Sequence, residues 1–317
     1  MKKVVVIGGG TGVFTVLSGL KEYDNYELAA IVSMADDGGS TGVLREEFGV
    51  LPPGDVRRAL VALSNSDNKM VSELFNYRFE ENSSLRGHSL GNLLLTALAR
   101  ITGSWKEGLK EAVEILNVEG EVIPVTLDRT KLHAELEDKT VIEGETNIDI
   151  PKHDPRLKIK KIYLAPPAVA NEDAIRAIKE ANFVILGPGD LYTSILPNLI
   201  VEGIVPVLKS TRAKIIFITN IMTKFGETNN FAASDFVRVI ESYLGPGVLD
   251  FVVVNVEKMA GRTLERYKKE NVDYVSYDAE NFNNHFETIT GKFLRKGQFL
   301  RHDQEKLARV LSSIIGK

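Results

Sequence analysis

Residues 4–12 have the sequence Val-Val-Val-Ile-Gly-Gly-Gly-Thr-Gly, and the segment from Thr11 to Lys21 has a helical pattern. Four β-branched apolar residues predict a buried strand, and the glycines let the chain turn sharply from this strand into the helix. Amide groups at the start of such a helix can approach a phosphate closely, and the helix dipole favours an anion there. The segment therefore predicts a sheet edge that accepts a phosphorylated ligand, although a tight turn without a ligand stays an alternative.

This glycine turn matches neither of two familiar phosphate motifs in full. No Gly-Lys-Ser/Thr follows it, which excludes a Walker loop, and Val13 stands where the dinucleotide fingerprint has its third glycine. An NAD-dependent oxidoreductase of the Rossmann type is therefore a disfavoured alternative.

Further along the chain, short apolar runs alternate with longer helical patterns. Continuous apolar strands separated by helices predict a parallel sheet covered on both faces, so we expect a doubly wound α/β fold. The predicted strands after the first are residues 28–33, 160–164, 183–186, 214–219 and 251–254. Residues 121–150 instead alternate polar and apolar side chains between turns, which predicts a small antiparallel β-rich insertion in a single domain of residues 1–317.

The composition narrows the class of protein. The chain has 317 residues, 44% of them hydrophobic, a formal charge of −4 and no cysteine. The absence of cysteine excludes disulfides, thiolate metal sites and cysteine nucleophiles. The charge balance gives no general field for nucleic acid, and no apolar stretch is long enough to span a membrane. We therefore expect a cytoplasmic protein that has no nucleic-acid partner.

An acidic pair follows the second predicted strand. Asp36 and Asp37 lie in the stretch Ala-Asp-Asp-Gly-Gly-Ser-Thr-Gly at 35–42, at the carboxyl edge of the sheet and beside the first glycine turn. Either carboxylate could hold a metal ion or accept a hydrogen bond from a substrate hydroxyl. The alternative is that one of them only caps the next helix.

Two other segments supply candidate polar groups for the part of the site beside the first glycine turn. His88, in Gly-His-Ser-Leu-Gly-Asn at 87–92, could act as a general acid or base or bind phosphate, or could simply pack at a helix start. Arg57 and Arg58 are the candidate cations, although exposed arginine pairs are commonly solvated surface.

A second glycine turn follows the strand at 183–186. Gly187-Pro188-Gly189 ends this strand, and Thr193 and Ser194 stand near the start of the next helix. Hydroxyls and free amides there form an uncharged phosphate cradle, whereas Asp190 would repel a phosphate if it pointed inward. Asn220, at the end of another strand, could bind a base or a sugar, or could start a turn.

Taken in order along the chain, these motifs resemble those of the gluconeogenesis-factor family (YvcK-like), which is related to the 2-phospho-L-lactate transferases (CofD-like). The resemblance covers essentially the whole chain. The matching segments are residues 5–12, 35–42, 51–64, 87–92, 187–199, 220–223, 226–228 and 301–308.

The resemblance implies a Rossmann-like three-layer α/β sandwich with a mostly parallel sheet. YvcK-like members bind UDP-sugars such as UDP-N-acetylglucosamine and influence carbon metabolism and cell shape in bacteria. The transferases move phospholactate from a nucleoside-diphosphate donor to an alcohol with magnesium. By position, the nucleotide-binding residues would be Gly9, Gly10, Thr11, Gly12, Gly187, Pro188, Gly189, Leu191, Tyr192, Thr193, Ser194 and Asn220. Asp36 and Asp37 would meet the acceptor or the metal.

Two functions follow as hypotheses. The first is a regulator that binds a UDP-sugar or another nucleoside diphosphate without a required cofactor. The second is a transferase that uses Mg²⁺, with Asp36, Asp37 and His88 as its catalytic residues. In either case we expect a homo-oligomer.

Overall fold

The computed structural model describes residues 1–65, 69–79, 83–258, 261–282, 285–295, 297 and 299–316. Within these residues the centre of the fold is a parallel sheet of seven strands in the order β10-β9-β8-β7-β1-β2-β3. Its strands are β1 (Lys2–Gly8), β2 (Tyr26–Val32), β3 (Glu121–Pro124), β7 (Phe183–Leu186), β8 (Lys214–Ile218), β9 (Phe251–Asn255) and β10 (Glu287–Gly291). The predicted doubly wound α/β class is confirmed.

Helices cover both faces of this sheet. Before β3 they are α1 (Gly10–Leu20), α2 (Gly39–Phe48), α3 (Pro53–Leu63), α4 (Lys69–Asn76), α5 (Leu90–Thr102) and α6 (Trp105–Leu116). After β3 they are α7 (Glu145–Asp149), α8 (Glu172–Glu180), α9 (Leu196–Leu199), α10 (Ile204–Ser210), α11 (Ala233–Leu244), α12 (Arg262–Lys269) and α13 (Gln304–Ile315). Among the helices of the described residues, none combines the length and apolar character needed to cross a bilayer.

The core lies in two layers, one on each face of the sheet. Val4 and Val6 of β1 join the layer beneath α1, α3 and α13, whereas Val5 and Ile7 join the layer beneath α8 and α11. Successive side chains of a strand point to opposite faces, so a strand buried on both sides needs an unbroken apolar run. This is why β1 has no polar position between Val4 and Ile7.

The antiparallel part of the fold is confirmed, and two of its strands lie within the predicted residues 121–150, but the bounds of the sheet differ. In the described part of the chain, β4 (Lys131–Leu136), β5 (Val141–Glu143) and β6 (Ile159–Ala165) form an antiparallel sheet in the order β5-β4-β6. The expectation that residues 160–164 belong to the parallel sheet is therefore wrong. Lys160 and Lys161 are exposed while Ile162 and Leu164 are buried, which suits a sheet that packs by one face. Residues 121–124, expected in the insertion, instead extend the parallel sheet beside β2.

Candidate functional site

A cleft of about 530 Å³ lies at the carboxyl ends of β1, β2 and β7. β1 is the switch point of the sheet, because the chain proceeds from it to β2 on one side and returns as β7 on the other. Open parallel sheets bind ligands at such switch points. Two further cavities, of about 560 and 400 Å³, lie beside β3 and at the amino ends of β1 and β2. Neither of these cavities lies at the switch point. We therefore take the cleft as the candidate site.

The two predicted glycine turns meet in this cleft. Gly10 and Gly189 both line it, together with Gly9, Thr11 and Gly12. A Cβ on Gly12 would overlap the carbonyl oxygen of Pro188 and lie 2.5 Å from its carbonyl carbon. Glycine at position 12 is therefore required by the contact between the two turns, before any ligand is considered.

The first turn already holds one anion, the carboxylate of Asp55. The Gly10 N–H donates to Oδ1 of Asp55 at 2.9 Å, and the Arg58 guanidinium donates to the same oxygen at 3.2 Å. A Cβ on Gly9 would lie only 2.5 Å from the other carboxylate oxygen. The first N–H groups of a helix have no partner inside the helix. Asp55 provides a partner for one of them, the Gly10 N–H at the start of α1. The next amides of that turn stay available to a ligand.

Asp36 and Asp55 form the acidic pair of the cleft. Burial raises the pKa of Asp36 to about 6, and the charge of Asp55 adds to this shift. Burial also raises the pKa of Asp55, although Arg58 and the Gly10 amide oppose the shift. A divalent cation held by these two carboxylates would stabilise both negative charges, which are costly to form together. The Mg²⁺ implied by the transferase hypothesis therefore suits Asp36 and Asp55.

Asp37 caps the start of α7. Its carboxylate accepts hydrogen bonds from the Glu145 and Thr146 amides, at 3.2 and 2.9 Å, at the start of α7. Asp37 is therefore engaged by a helix start, but the helix is α7 and not α2, the next helix in the chain, which the capping alternative named. His88 lies behind the cleft lining, where its Nδ1 is 3.0 Å from the Ser40 hydroxyl, and Ser40 lines the cleft.

The second glycine turn continues into a π-helical turn, Leu191–Ile195, which leads into α9. The side chains of Leu191 and Tyr192 are buried in the core, and neither residue lines the cleft or the neighbouring pocket beside Asn220. The Thr193 hydroxyl is 3.5 Å from Oε1 of Glu227, and the Tyr192 amide donates to Oε2 of Glu227 at 3.4 Å. Ser194 lines the cleft.

The Lys224 ammonium neutralises the charge that Asp190 was expected to bring to the phosphate site. Lys224 pairs with Asp149, with Asp190 at 2.8 Å and with Glu227 at 3.3 Å. Burial opposes the lysine charge, but the three carboxylates raise the pKa of Lys224 above its ordinary value. Burial raises the pKa of Glu227 to about 8, while Lys224 opposes this rise. We call Lys224 and these three carboxylates the lysine hub.

The carboxylate oxygens of the lysine hub lie within 4.8 Å of one another, a spacing that could suit a metal ion. The ammonium of Lys224 already supplies the positive charge at their centre. The hub is therefore better described as an ion-pair network that supports the Leu191–Ile195 turn than as a metal centre.

A side pocket of about 330 Å³ adjoins the cleft. The two share Thr11, Gly12, Gly189, Asp190 and Arg301, so a ligand can extend from one into the other. Asn220 lies in this side pocket, 30 residues beyond Asp190 in sequence, at the end of β8. Of the residues expected to bind nucleotide, the structure places Gly9, Gly10, Thr11, Gly12, Gly189, Thr193 and Ser194 in the cleft, and Pro188 and Asn220 in the side pocket.

Several lining residues were not predicted from the sequence. Asp55 stands in the first turn of α3, where an acidic residue has the pattern of an ordinary helix start. Glu145 likewise begins α7, and burial, with help from Asp36 and Asp149, raises its pKa to about 9. Arg301 and Lys224 come from distant segments. The available signals were Asp55, in the Pro-Gly-Asp-Val-Arg-Arg stretch that supplied the candidate arginines, and Arg301, which begins the matching segment 301–308.

Comparison with known proteins agrees with this geometry. The model of the family described as 2-phospho-L-lactate transferase CofD matches residues 4–294, which contain both glycine turns and the acidic pair. The chain belongs to the CofD family. Within this CofD family, the gluconeogenesis factor of Bacillus subtilis is 39% identical over 99% of this chain and 98% of its own. A Thermotoga maritima protein with a provisional gluconeogenesis-factor name is 44% identical over 98% of this chain and 99% of its own.

A crystal structure supports the same relationship within the CofD family. A Bacillus halodurans protein of the UPF0052 family superimposes with a TM-score of 0.92 at 40% identity, covering 98% of this chain and 99% of that one. The resemblance to gluconeogenesis factors inferred from the sequence motifs is therefore confirmed.

Proposed function

We propose that this CofD-family member binds a UDP-sugar in the cleft and acts in the cytoplasm as a ligand-responsive regulator of carbon metabolism and cell shape. The observation that carries the proposal is the contact of Gly12 with Pro188, which brings the start of α1 and the Leu191–Ile195 turn together at one cleft. The helix start that follows Gly10 and the Ser194 hydroxyl that lines the cleft would suit the phosphates of a nucleoside diphosphate.

The charges of the cleft support a ligand of this kind. Four arginines line it, Arg57, Arg58, Arg78 and Arg301, against five acidic residues, Asp36, Asp55, Glu145, Asp149 and Asp190. The pKa of Glu145 is raised to about 9 by burial, so it carries a proton at neutral pH. Lys224 pairs with Asp149 and Asp190. The remaining positive groups and amides therefore favour a diphosphate.

Binding of UDP-N-acetylglucosamine, measured by titration calorimetry, tests the proposal. We expect saturable binding to the natural chain and at least a tenfold loss of affinity in Gly189→Glu, because the new carboxylate would enter the anion site. Ile115→Glu adds the same charge on the exposed face of α6, outside the lining of the cleft, and should bind as the natural chain does. Absence of heat with uridine and guanosine diphosphate sugars alike would refute the proposal.

The second candidate function is a Mg²⁺-dependent transferase, and the observation that favours it is the acidic pair Asp36–Asp55. In this reaction the acceptor alcohol oxygen bonds to the phosphorus distal to the nucleoside, and the bond to the nucleoside monophosphate breaks. The Asp36 carboxylate, which lines the cleft, can accept the proton of the acceptor hydroxyl. Bound Mg²⁺ would neutralise the developing phosphate charge.

Release of nucleoside monophosphate from a nucleoside-diphosphate donor measures this activity. Asp36→Asn and Asp55→Asn should each lower turnover at least 100-fold, within the range usual for loss of general-base catalysis. Asp37→Asn should leave turnover within threefold, because an asparagine oxygen can still cap α7. Equal turnover in all three variants would exclude the assigned roles, and binding without turnover would favour the regulator.

A further inference from the structure

A further cavity, of about 290 Å³, lies beside the Leu191–Ile195 turn, between α11 and the start of β6. We call it the tyrosine pocket, because Tyr192 and Tyr243 line it. It shares no lining residue with the cleft or with the side pocket. Tyr192 nevertheless belongs to the same turn as Ser194, which lines the cleft. A single turn of the chain therefore connects the two sites. The apolar lining of the tyrosine pocket includes Leu157, Ile159, Phe231 and Val239.

The Tyr192 hydroxyl is a polar group without a partner in this pocket. Tyr192 is only 4% exposed, and within the residues that the structure describes its hydroxyl makes no hydrogen bond. Burial raises the pKa of Tyr192, and the nearby Tyr243 and Glu227 add to the rise, so the phenol keeps its proton at neutral pH. Buried hydroxyls are normally paired. An acceptor on a ligand would complete this one.

Tyr243 offers a second phenolic proton to the same pocket. Its hydroxyl oxygen accepts a hydrogen bond from the Ile162 amide at 3.2 Å, which fixes the ring beside β6. The hydroxyl proton itself has no acceptor among the described residues. Burial raises the pKa of Tyr243 as well, so this phenol is also protonated at neutral pH. A carboxylate has two acceptor oxygens and could pair with both hydroxyls at once.

The charges around the tyrosine pocket also favour an anion. Its lining contains the cationic side chains of Lys158, Lys160 and Arg238, all exposed, and two carboxylates. One carboxylate, Asp235, pairs with Arg238 at 2.6 Å, and the other, Glu227, belongs to the lysine hub. Lys158 makes no ion pair within the described part of the chain. Its ammonium is therefore available to attract a negatively charged ligand.

We propose that the tyrosine pocket is an effector site for a small carboxylate with an apolar body, whose binding changes the ligand affinity of the cleft through the Leu191–Ile195 turn. The carboxylate accepts from the Tyr192 and Tyr243 hydroxyls, and the body packs on the apolar lining. An apolar pocket with a few convergent polar groups is the usual form of a small-molecule site. The effector site stands on the pocket alone, whereas the effect on the cleft rests on the proposed function.

The turn between the two sites is held by long hydrogen bonds on its Glu227 side. The Tyr192 amide and the Thr193 hydroxyl contact Glu227 at 3.4 and 3.5 Å, whereas an N–H···O hydrogen bond is usually about 2.9 Å long. A carboxylate bound to the Tyr192 hydroxyl adds a contact that fixes the turn and so preorganises Ser194. We therefore expect the effector to tighten binding in the cleft. By linkage, the ligand of the cleft tightens effector binding by the same factor.

Binding of 3-phenylpropanoate to the full chain, followed by ligand-observed NMR, tests the effector site. The matched probe is 3-phenylpropanamide, which has the same body without the charge, and the natural chain should bind the carboxylate at least tenfold more tightly. Tyr192→Phe and Tyr243→Phe should each weaken carboxylate binding at least fivefold, because each removes a hydrogen bond to a charged group. Tyr77→Phe makes the same change at an exposed tyrosine outside the pocket and should bind as the natural chain does.

Ser242→Trp tests the same site without removing a tyrosine. Ser242 is exposed and lines the pocket, and its hydroxyl donates to the Val239 carbonyl at 2.6 Å within its own helix. A tryptophan there should fill the pocket and abolish carboxylate binding without disturbing the core. This variant decides the question even if Tyr243→Phe, which leaves the Ile162 amide without its partner, is too unstable to measure.

Calorimetric titration with UDP-N-acetylglucosamine, with and without saturating 3-phenylpropanoate, tests the effect on the cleft. The natural chain should bind the UDP-sugar at least threefold more tightly when the carboxylate is present. Ser242→Trp should bind the UDP-sugar as the natural chain does without the carboxylate, and adding the carboxylate should change nothing.

The outcomes separate the effector site from the proposed function. Absence of carboxylate binding, equal affinity for the carboxylate and the amide, or binding that survives Ser242→Trp would overturn the effector site and leave the proposed function intact. Carboxylate binding that leaves the UDP-sugar affinity unchanged would overturn the effect on the cleft. Carboxylate binding that depends on both tyrosines, in a chain that binds no UDP-sugar, would support the effector site and refute the proposed function.

Discussion

Gly12→Ala is expected to lower the free energy of unfolding by about 3 kcal/mol, the upper part of the range for overpacked cores. The added Cβ would overlap the Pro188 carbonyl and crowd the Gly189 amide at 3.2 Å. All the crowded atoms belong to the backbone, which cannot rotate aside as a side chain would. Chemical denaturation at neutral pH measures the loss. We also expect the variant to lose affinity for UDP-N-acetylglucosamine, because separating the glycine turns opens the cleft.

Thr11→Ala provides the comparison within the same helical turn. Thr11 is exposed, so the change should alter stability by less than about 0.5 kcal/mol, as at ordinary surface positions. Gly12→Ala with the stability of the natural chain would mean that the two turns are not in contact, and the basis of the proposed diphosphate site would be lost.

Lys224→Met is the second change with a large expected effect. It removes the ammonium from Asp149, Asp190 and the buried Glu227, whose side chain is 0% exposed. Breaking a buried ion pair by removing one partner costs about 3–5 kcal/mol, because the other charge stays buried without compensation. Since the Tyr192 amide and the Thr193 hydroxyl contact Glu227, the Leu191–Ile195 turn should also become less ordered. Chemical denaturation at pH 9 should show the full loss.

The loss in Lys224→Met should depend on pH with a defined sign. The pKa of Glu227 in the folded chain, about 8, lies above its value of 4.5 in a model peptide. A raised carboxyl pKa means that the folded state holds the proton more tightly, so its contribution to stability decreases as pH rises from about 4.5 through 8. Removing Lys224 raises this pKa further. The difference from the natural chain should therefore be largest above pH 8 and smaller at pH 5.

Lys214→Met is the control for the hub. Lys214 pairs with Asp250 at 2.6 Å on the surface, where its side chain is 59% exposed. Exposed pairs contribute little, so we expect a change below about 1 kcal/mol at every pH. Equal losses in Lys214→Met and Lys224→Met would contradict the description of Lys224 as the centre of a buried network.

Local sequence predicted the elements that bury both faces and the turns that end them. β1 is identifiable because four apolar residues in a row suit a strand between two helical layers, and the following glycines mark the turn. The same reasoning misplaced residues 160–164. An apolar run shows that a strand is buried but not which strand lies beside it, and here the partner is β4 in antiparallel orientation.

The roles of the acidic residues required the folded chain. Asp36 and Asp37 are neighbours with the same chemistry, and the sequence left both the metal-pair and the capping interpretations open. Asp37 caps a helix because α7, which lies more than 100 residues further along the chain, begins beside it. Asp36 became part of an acidic pair because α3 brings Asp55 to the same cleft.

By itself, the sequence determined the strand–glycine–helix units, the α/β class and the family, because each depends on residues that are close together in the chain or on motifs kept in order. Only the tertiary structure decided which carboxylates face each other, that Lys224 neutralises Asp190, and that Gly12 serves the contact with Pro188. These depend on charges and distances between segments far apart in sequence, and a local pattern holds no information about such distances.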